Sequence, residues 1–201
     1  MTQVDDGALA DDQCVLDNGR QPRLLDIIEI DITRLRWAPH QPENWIVGTQ
    51  PWRMVGRYPW PALVPLLCRS MHSGPDVFGC NDDRIPYREI LRRPMRRSLV
   101  LVAPDSVQWY IRRSFNGNRQ VRAKFSLGGK SHNLAVTDRD WEDRFEDLPV
   151  GCMLDAQDVE LARDDRVIFT VGLGQPFNGC CYKLVVGVLV VSQTRWAELC
   201  G

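Results

Sequence analysis

The sequence predicts a mainly β protein with a few short helices, and three observations carry that prediction. The first is Arg119–Thr137, RQVRAKFSLGGKSHNLAVT, where apolar and polar residues alternate on both sides of Gly128-Gly129. Gly-Gly supplies the positive φ angles that a two-residue hairpin loop needs. The second is the order of elements after residue 97: strand, strand, strand, helix, strand, strand, with Ser98–Arg113 counted as one bent strand. That is the succession of a five-stranded OB barrel, whose helix lies between its third and fourth strands. The third is that short strand-like runs broken by Pro and Gly also fill the first half.

In chain order, Met1–Arg23 is polar and irregular, and Leu24–Ile32 (LLDIIEIDI) is the first strand. Pro39 and Pro42 mark a loop, and Trp45–Val47 and Trp52–Tyr58 are short strands around Gly48 and Pro51. Pro61 suits a helix start, so Ala62–Cys68 reads as a short apolar helix. Ser70–Asp83 is a loop, and the basic run Arg84–Arg97 connects the halves. Ser98–Ala103 is a strand, Pro104-Asp105 a kink, and Val107–Arg113 the next strand. After the hairpin, Thr137 or Asp138 caps a helix over Arg139–Asp147, where early acidic residues suit the helix dipole. Arg166–Val171 is a strand, GLGQPFNG a loop, and Cys181–Val191 the last strand.

The Gly-Gly loop sets Phe125 opposite His132, Ala123 opposite Leu134 and Val121 opposite Val136. These six share the core face, because side chains alternate along a strand. Arg122, Lys124, Ser126, Ser131 and Asn133 form the opposite, basic face. Matching the apolar faces of VQWYIRR then sets Trp109 against Phe125 and Ile111 against Ala123. It also sets Arg112 against Arg122 and Tyr110 against Lys124. Like charges directly opposite are unfavourable, so this face is read either as a platform for a polyanion or as a solvated surface with splayed arginines.

At 201 residues, 44% hydrophobic and 25% charged, the chain has an ordinary globular composition and a net charge of −1. Its charge is segregated: Arg84–Lys130 holds twelve Arg/Lys against Glu89 and Asp105, and Asp138–Asp165 holds eleven Asp/Glu against three Arg. Such a distribution favours a basic surface in the middle of the chain. Seven cysteines with no CxxC pair and no opening signal peptide point to reduced thiols, a cytoplasmic location and no disulfide. No apolar run approaches the ~20 residues of a membrane span. Cys68, His72 and Cys80 match no zinc spacing, and Asp82-Asp83 reads as a turn, so no metal or other cofactor is expected. His132 lies on the core face and reads as structural rather than as a base for Cys180 or Cys181. Gly172–Gly174 lacks the rest of a dinucleotide fingerprint. Nothing identifies a reaction, and the expectation is a non-enzymatic protein.

Three stretches carry a resemblance: PRLLDIIEIDI followed by HQPENWIV and WRMVGR; VRAKF, GG and LAVTD; and TVGLGQPFNGCCYKLV. Together they resemble the bacterial dual OB-containing domain family (DuOB), from about Gly7 to the end of the chain. The resemblance implies two small OB-like barrels packed together, at residues 1–90 and 91–201. It implies nucleic-acid binding, discussed for prokaryotic conflict systems, and supplies no catalytic residues. Family members begin with a further strand and a glycine-arginine-cysteine stretch, so the first barrel is expected to lack that strand or the true start to lie upstream.

OB barrels hold single strands on the outer face of strands two and three and in the loops joining strands one to two and four to five. That maps to Arg122, Lys124 and Asn133 on the sheet, Tyr110 and Arg112 beside them, Phe115, Asn116 and Asn118 in one loop, and Gln175, Phe177 and Asn178 in the other. The expected partner is single-stranded DNA or RNA; the alternative is a protein partner on the same surfaces. Phe115 and Phe177 are either stacking surfaces or plugs of the barrel ends, and the setting of Phe177 favours a plug. Trp109 and Phe125 belong to the core.

Overall fold

The computed structural model describes Leu9 and residues 11–156, 158–162 and 165–192. The fold is mostly β, as expected. Its centre is the hairpin of β8 (Arg119–Leu127) and β9 (Lys130–Val136), with Phe125 opposite His132 and Ala123 opposite Leu134. Gly128 and Gly129 take φ of 53° and 81°, the positive values the tight turn demands.

The preceding strand, β7 (Ser106–Arg113), pairs with β8 two residues away from the expected register: Val107 faces Phe125, Trp109 faces Ala123 and Ile111 faces Val121. A two-residue shift preserves the pleat, so Trp109 and Phe125 stay in the core. The cross-strand neighbours do change: Tyr110 faces Arg122, Arg112 faces Gln120 and Gln108 faces Lys124, so the expected Arg112–Arg122 pair does not form. The cause is a tight loop, Ser114–Asn118. Ser114 N donates to Asn118 O at 2.7 Å and Gly117 N to Ser114 O at 3.0 Å, which brings Arg113 opposite Arg119.

From β9 the hydrogen-bonded path runs in parallel to β12 (Cys180–Val191), then antiparallel to β11 (Arg166–Phe177) and β6 (Leu99–Val102). Since β6 leads through residues 103–105 into β7, the path begins and ends on two halves of one bent strand. With α3 (Arg139–Glu142) between β9 and β11, this is the OB order expected for the second half. The helix expected over Arg139–Asp147 is shorter, ending in a 3-10 turn at Asp143–Phe145. Asp138 caps it, accepting from Trp141 N at 3.3 Å, and also accepts from Val188 N at 2.7 Å. The glycine-rich stretch expected as a loop is strand as far as Phe177. The turn shrinks to Asn178-Gly179, with φ of 48° and 75°, and Pro176 sits beside a register shift where its missing N–H is tolerated.

Trp109, Ile111, Val121, Ala123, Phe125, Leu134 and Val136 fill the main core with Phe169, Val171 and Val185, and Trp141 and Phe145 close it. His132 is buried in this layer, stacked on Phe125 at 5.0 Å, with Nε2 2.8 Å from Pro75 O. Desolvation holds its pKa below the ordinary 6.5, against a smaller raising effect of the Pro75 carbonyl. Above that value both states are neutral and the group is silent. As pH falls below 6.5 the unfolded chain takes up a proton that the folded protein resists, so stability is lost. His132→Phe removes this contribution. Denaturation from about pH 7.5 to about pH 5.5 is expected to show the variant losing less stability than the parent, whereas parallel curves would contradict it.

The first half is built of two short ladders. β1 (Asp26–Glu29) pairs with β4 (Arg53–Arg57), and β2 (Ile32–Leu35) pairs with β3 (Trp45–Val47). The strand expected over Leu24–Ile32 is therefore divided, its two parts recruited by different partners. α1 (Trp60–Ser70) carries Pro61 in its first turn and packs Leu63, Val64 and Leu67 against Ile168 and Val191 of the large sheet. β5 (Arg84–Pro86) pairs with the start of β12, and α2 (Tyr87–Arg92) sets Ile90 beside Leu173 and Cys181. The run expected as a connection is thus an added strand and helix on the second half's sheet, and β10 (Met153–Leu154) extends the far edge along β7. No helix among the described residues is long and apolar enough to cross a membrane.

Candidate nucleic-acid interface

A cleft of ≈ 230 Å³ opens between the β7–β8 loop and the β11–β12 turn. Arg112, Phe115, Asn116 and Phe177 line it, so both loops selected by the sequence meet there. Arg122, Gln120, Asp83, Tyr182 and Leu184 are among its other wall residues.

The β7–β8 loop presents Phe115 to solvent with 99% of its surface exposed. It is therefore no plug of the barrel end. Phe177, expected to be a plug, is 56% exposed, its ring 6.4 Å from that of Tyr182. The reason is the Asn178-Gly179 turn: it ends the hairpin immediately after Phe177 and leaves the side chain outside the barrel. Arg84 extends this aromatic edge, its guanidinium 5.5 Å from the Tyr182 ring centroid and its Nη1 donating to Tyr182 Oη at 3.3 Å.

The basic face is only partly free. Lys124 is exposed, and Arg112 is exposed with one bond, Nε to Gln120 Oε1 at 3.3 Å. Arg122 retains only 5% of its surface. Its Nε donates to Asn133 Oδ1 at 2.8 Å, its Nη1 to Gln120 Oε1 at 3.2 Å, and its Nη2 also reaches Asn133 O and Asp83. Desolvation, then the nearby Arg112 charge, lowers its pKa. The expectation of an outward, exposed Arg122 is thus corrected: it lies on the side of the sheet away from the main core, but Asp83 of the segment Cys80–Arg84 reaches over it. Lys183 N donates to Asp83 O at 2.8 Å, and the buried Lys183 Nζ donates to Cys80 O at 2.7 Å, fixing the covering segment.

Tyr110 and Asn133 are likewise occupied with each other, Asn133 Nδ2 donating to Tyr110 Oη at 2.8 Å. Gln175 is spent on the other half, bonding His40 at 2.8 Å and Gln41 at 3.0 Å. Asn116, Asn118 and Asn178 are exposed on the two loops. The available set is therefore Arg112, Phe115, Asn116, Asn118, Lys124, Phe177 and Asn178. Tyr110, Arg122, Asn133 and Gln175 act as its scaffold.

Sequence reasoning missed Tyr182, although an Asn-Gly hairpin at 178–179 brings it near Phe177, and that dipeptide is itself a readable signal. Asp83 carried no such signal. The resulting cleft has planar apolar rings beside guanidinium groups, with Asp83 its one acidic wall residue. Rings can stack on flat ligands and Arg can take phosphate oxygens.

No curated protein and no solved structure matches this chain. The family model for the dual OB-containing domain matches residues 1–188, the larger part of the sequence and both halves of the fold. The chain belongs to the dual OB-containing domain family.

Proposed function

We propose that this protein is a non-catalytic module that binds single-stranded nucleic acid, DNA or RNA, in the cleft between Phe115 and Phe177. OB folds bind nucleic acid or other partners on this face, so membership of the family supports a binding role. The observation that carries the nucleic-acid reading is the almost complete exposure of Phe115 at the mouth of a cleft shared with Phe177 and Arg112. A phenyl ring held in water on a tight loop gains most from a ligand with a flat face, and every base has one. Arg112 in the cleft and Arg84 against Tyr182 at its edge serve as phosphate contacts, and Lys124 adds an exposed cation further along β8. A bacterial cytoplasm and a conflict system are the proposed setting, from the family resemblance alone.

A protein partner on the outer sheet surfaces is the second reading, favoured by the exposed apolar residues of the first half, among them Leu24, Leu35 and Val55. Salt separates the two. Binding to a labelled single strand, followed by anisotropy, is expected to weaken steeply with salt, with a log–log slope of roughly −0.7 for each phosphate contacted. Lys124→Ala is expected to flatten that slope by roughly one contact without changing the fold. A salt-independent affinity, or none, would favour the protein partner.

A further inference from the structure

A second and larger cleft, of ≈ 570 Å³, lies between the β2–β3 ladder and the outer face of the large sheet. Leu99, Gly172, Leu184 and Val186 form its floor, and Trp45 and Arg36 stand at its side. The floor is apolar and carries no side chain at Gly172. A Cβ on Gly172 would lie 3.1 Å from Val186 Cγ1 and 3.3 Å from Leu99 Cδ2, so a side chain there would have to push both aside. Above it Trp45 leaves 51% of its surface in solvent.

The surroundings are basic. Arg34 and Arg36 have no side-chain partner among the described residues, and neither do Arg93, Arg96 and Arg97. The Arg93–Arg97 run is held against the loop that follows Arg36: Met95 N donates to Pro39 O at 2.8 Å, and Ser98 Oγ to Glu43 Oε1 at 2.9 Å. Glu43, the nearby carboxylate, is thereby already engaged. The second cleft also adjoins the first. Leu184 lines both, and Gln175, on the wall of the second, is two residues from Phe177 at the mouth of the first.

We infer that a single strand occupying the Phe115–Phe177 cleft continues into this groove, stacking a base on Trp45 and placing phosphates against Arg36 and the Arg93–Arg97 run. The inference rests on the single-strand reading proposed above and extends its footprint from one barrel face to both halves of the chain. An acidic peptide would satisfy the arginines but would leave the half-exposed indole without a planar partner.

The test uses the full chain with labelled oligothymidylate and oligouridylate of about 6 and about 18 nucleotides, the first within and the second beyond the span of one OB fold. Trp45→Ala, and separately Arg36→Ala with Arg97→Ala, are each expected to leave short-strand affinity unchanged and to cut long-strand affinity on the order of tenfold. Trp45→Phe is expected to restore most of the loss. The two arginines are exposed and have no side-chain partner among the described residues, so their replacement tests the groove even if Trp45→Ala does not fold. Variants that bind the long strand as the parent does would overturn the inference while leaving the single-strand reading in place. A parent that binds neither length would remove both.

Discussion

Phe115→Ala is expected to weaken single-strand binding by on the order of tenfold while leaving thermal unfolding unchanged. Stacking on an aromatic side chain is worth about 1–3 kcal/mol per base, and about 1.4 kcal/mol is a factor of ten. Because the ring is 99% exposed, its removal takes no packing from the core. Phe177→Ala is expected to act in the same direction but less cleanly, since that ring also lies near Tyr182. The double variant combines the two losses if each ring holds its own base. Unchanged binding in Phe115→Ala would leave its exposure without a role and would move the interface elsewhere.

Arg122→Ala has the opposite signature: it is expected to cost stability, about 2–3 kcal/mol, whatever it does to binding. The substitution removes charge-assisted hydrogen bonds to Asn133 and Gln120 and leaves Asp83 without its buried partner. Asn133 would then lose one side of a network whose other side is Tyr110. The pair with Asp83, at 3.5 Å and with the carboxylate 32% exposed, is the weakest of these contacts, so most of the loss comes from the amide groups. Urea denaturation of Arg122→Ala beside Lys124→Ala gives the comparison. A lower midpoint for the first and an unchanged one for the second is the expected pattern, and equal midpoints would show that Arg122 is only a surface cation.

Those two residues also show what was legible in the sequence. The β8–β9 hairpin was readable because its information is local: a Gly-Gly turn flanked by strict alternation fixes both register and facing. The outward face was therefore assigned correctly for Lys124 and for Arg122 alike. What alternation does not carry is the coverage of that face. Cys80–Arg84 reaches Arg122 because β5 pairs with β12, a long-range event that no neighbouring residue announces. The offset of β7 has a similar origin, since its register depends on hydrogen bonds that close Ser114–Asn118. In the first half, LLDIIEIDI has the composition of one strand, yet its ends pair with different partners, β4 and β3. The two loops that the OB order singles out do meet at one cleft. The exposure of Phe177 is not legible in the same way, because GLGQPFNG has the composition of a loop while its first part is strand and only Asn178-Gly179 turns.

The central claim is that a single strand lies between the β7–β8 loop and the β11–β12 turn. It is tested most directly by photocrosslinking a strand carrying a halogenated pyrimidine to the full chain, followed by peptide mapping. The account predicts crosslinks at Phe115 and at Phe177 or Tyr182, lost in the presence of excess unlabelled strand and reduced by high salt. Crosslinks confined to surfaces away from both loops, or insensitive to competitor, would contradict it.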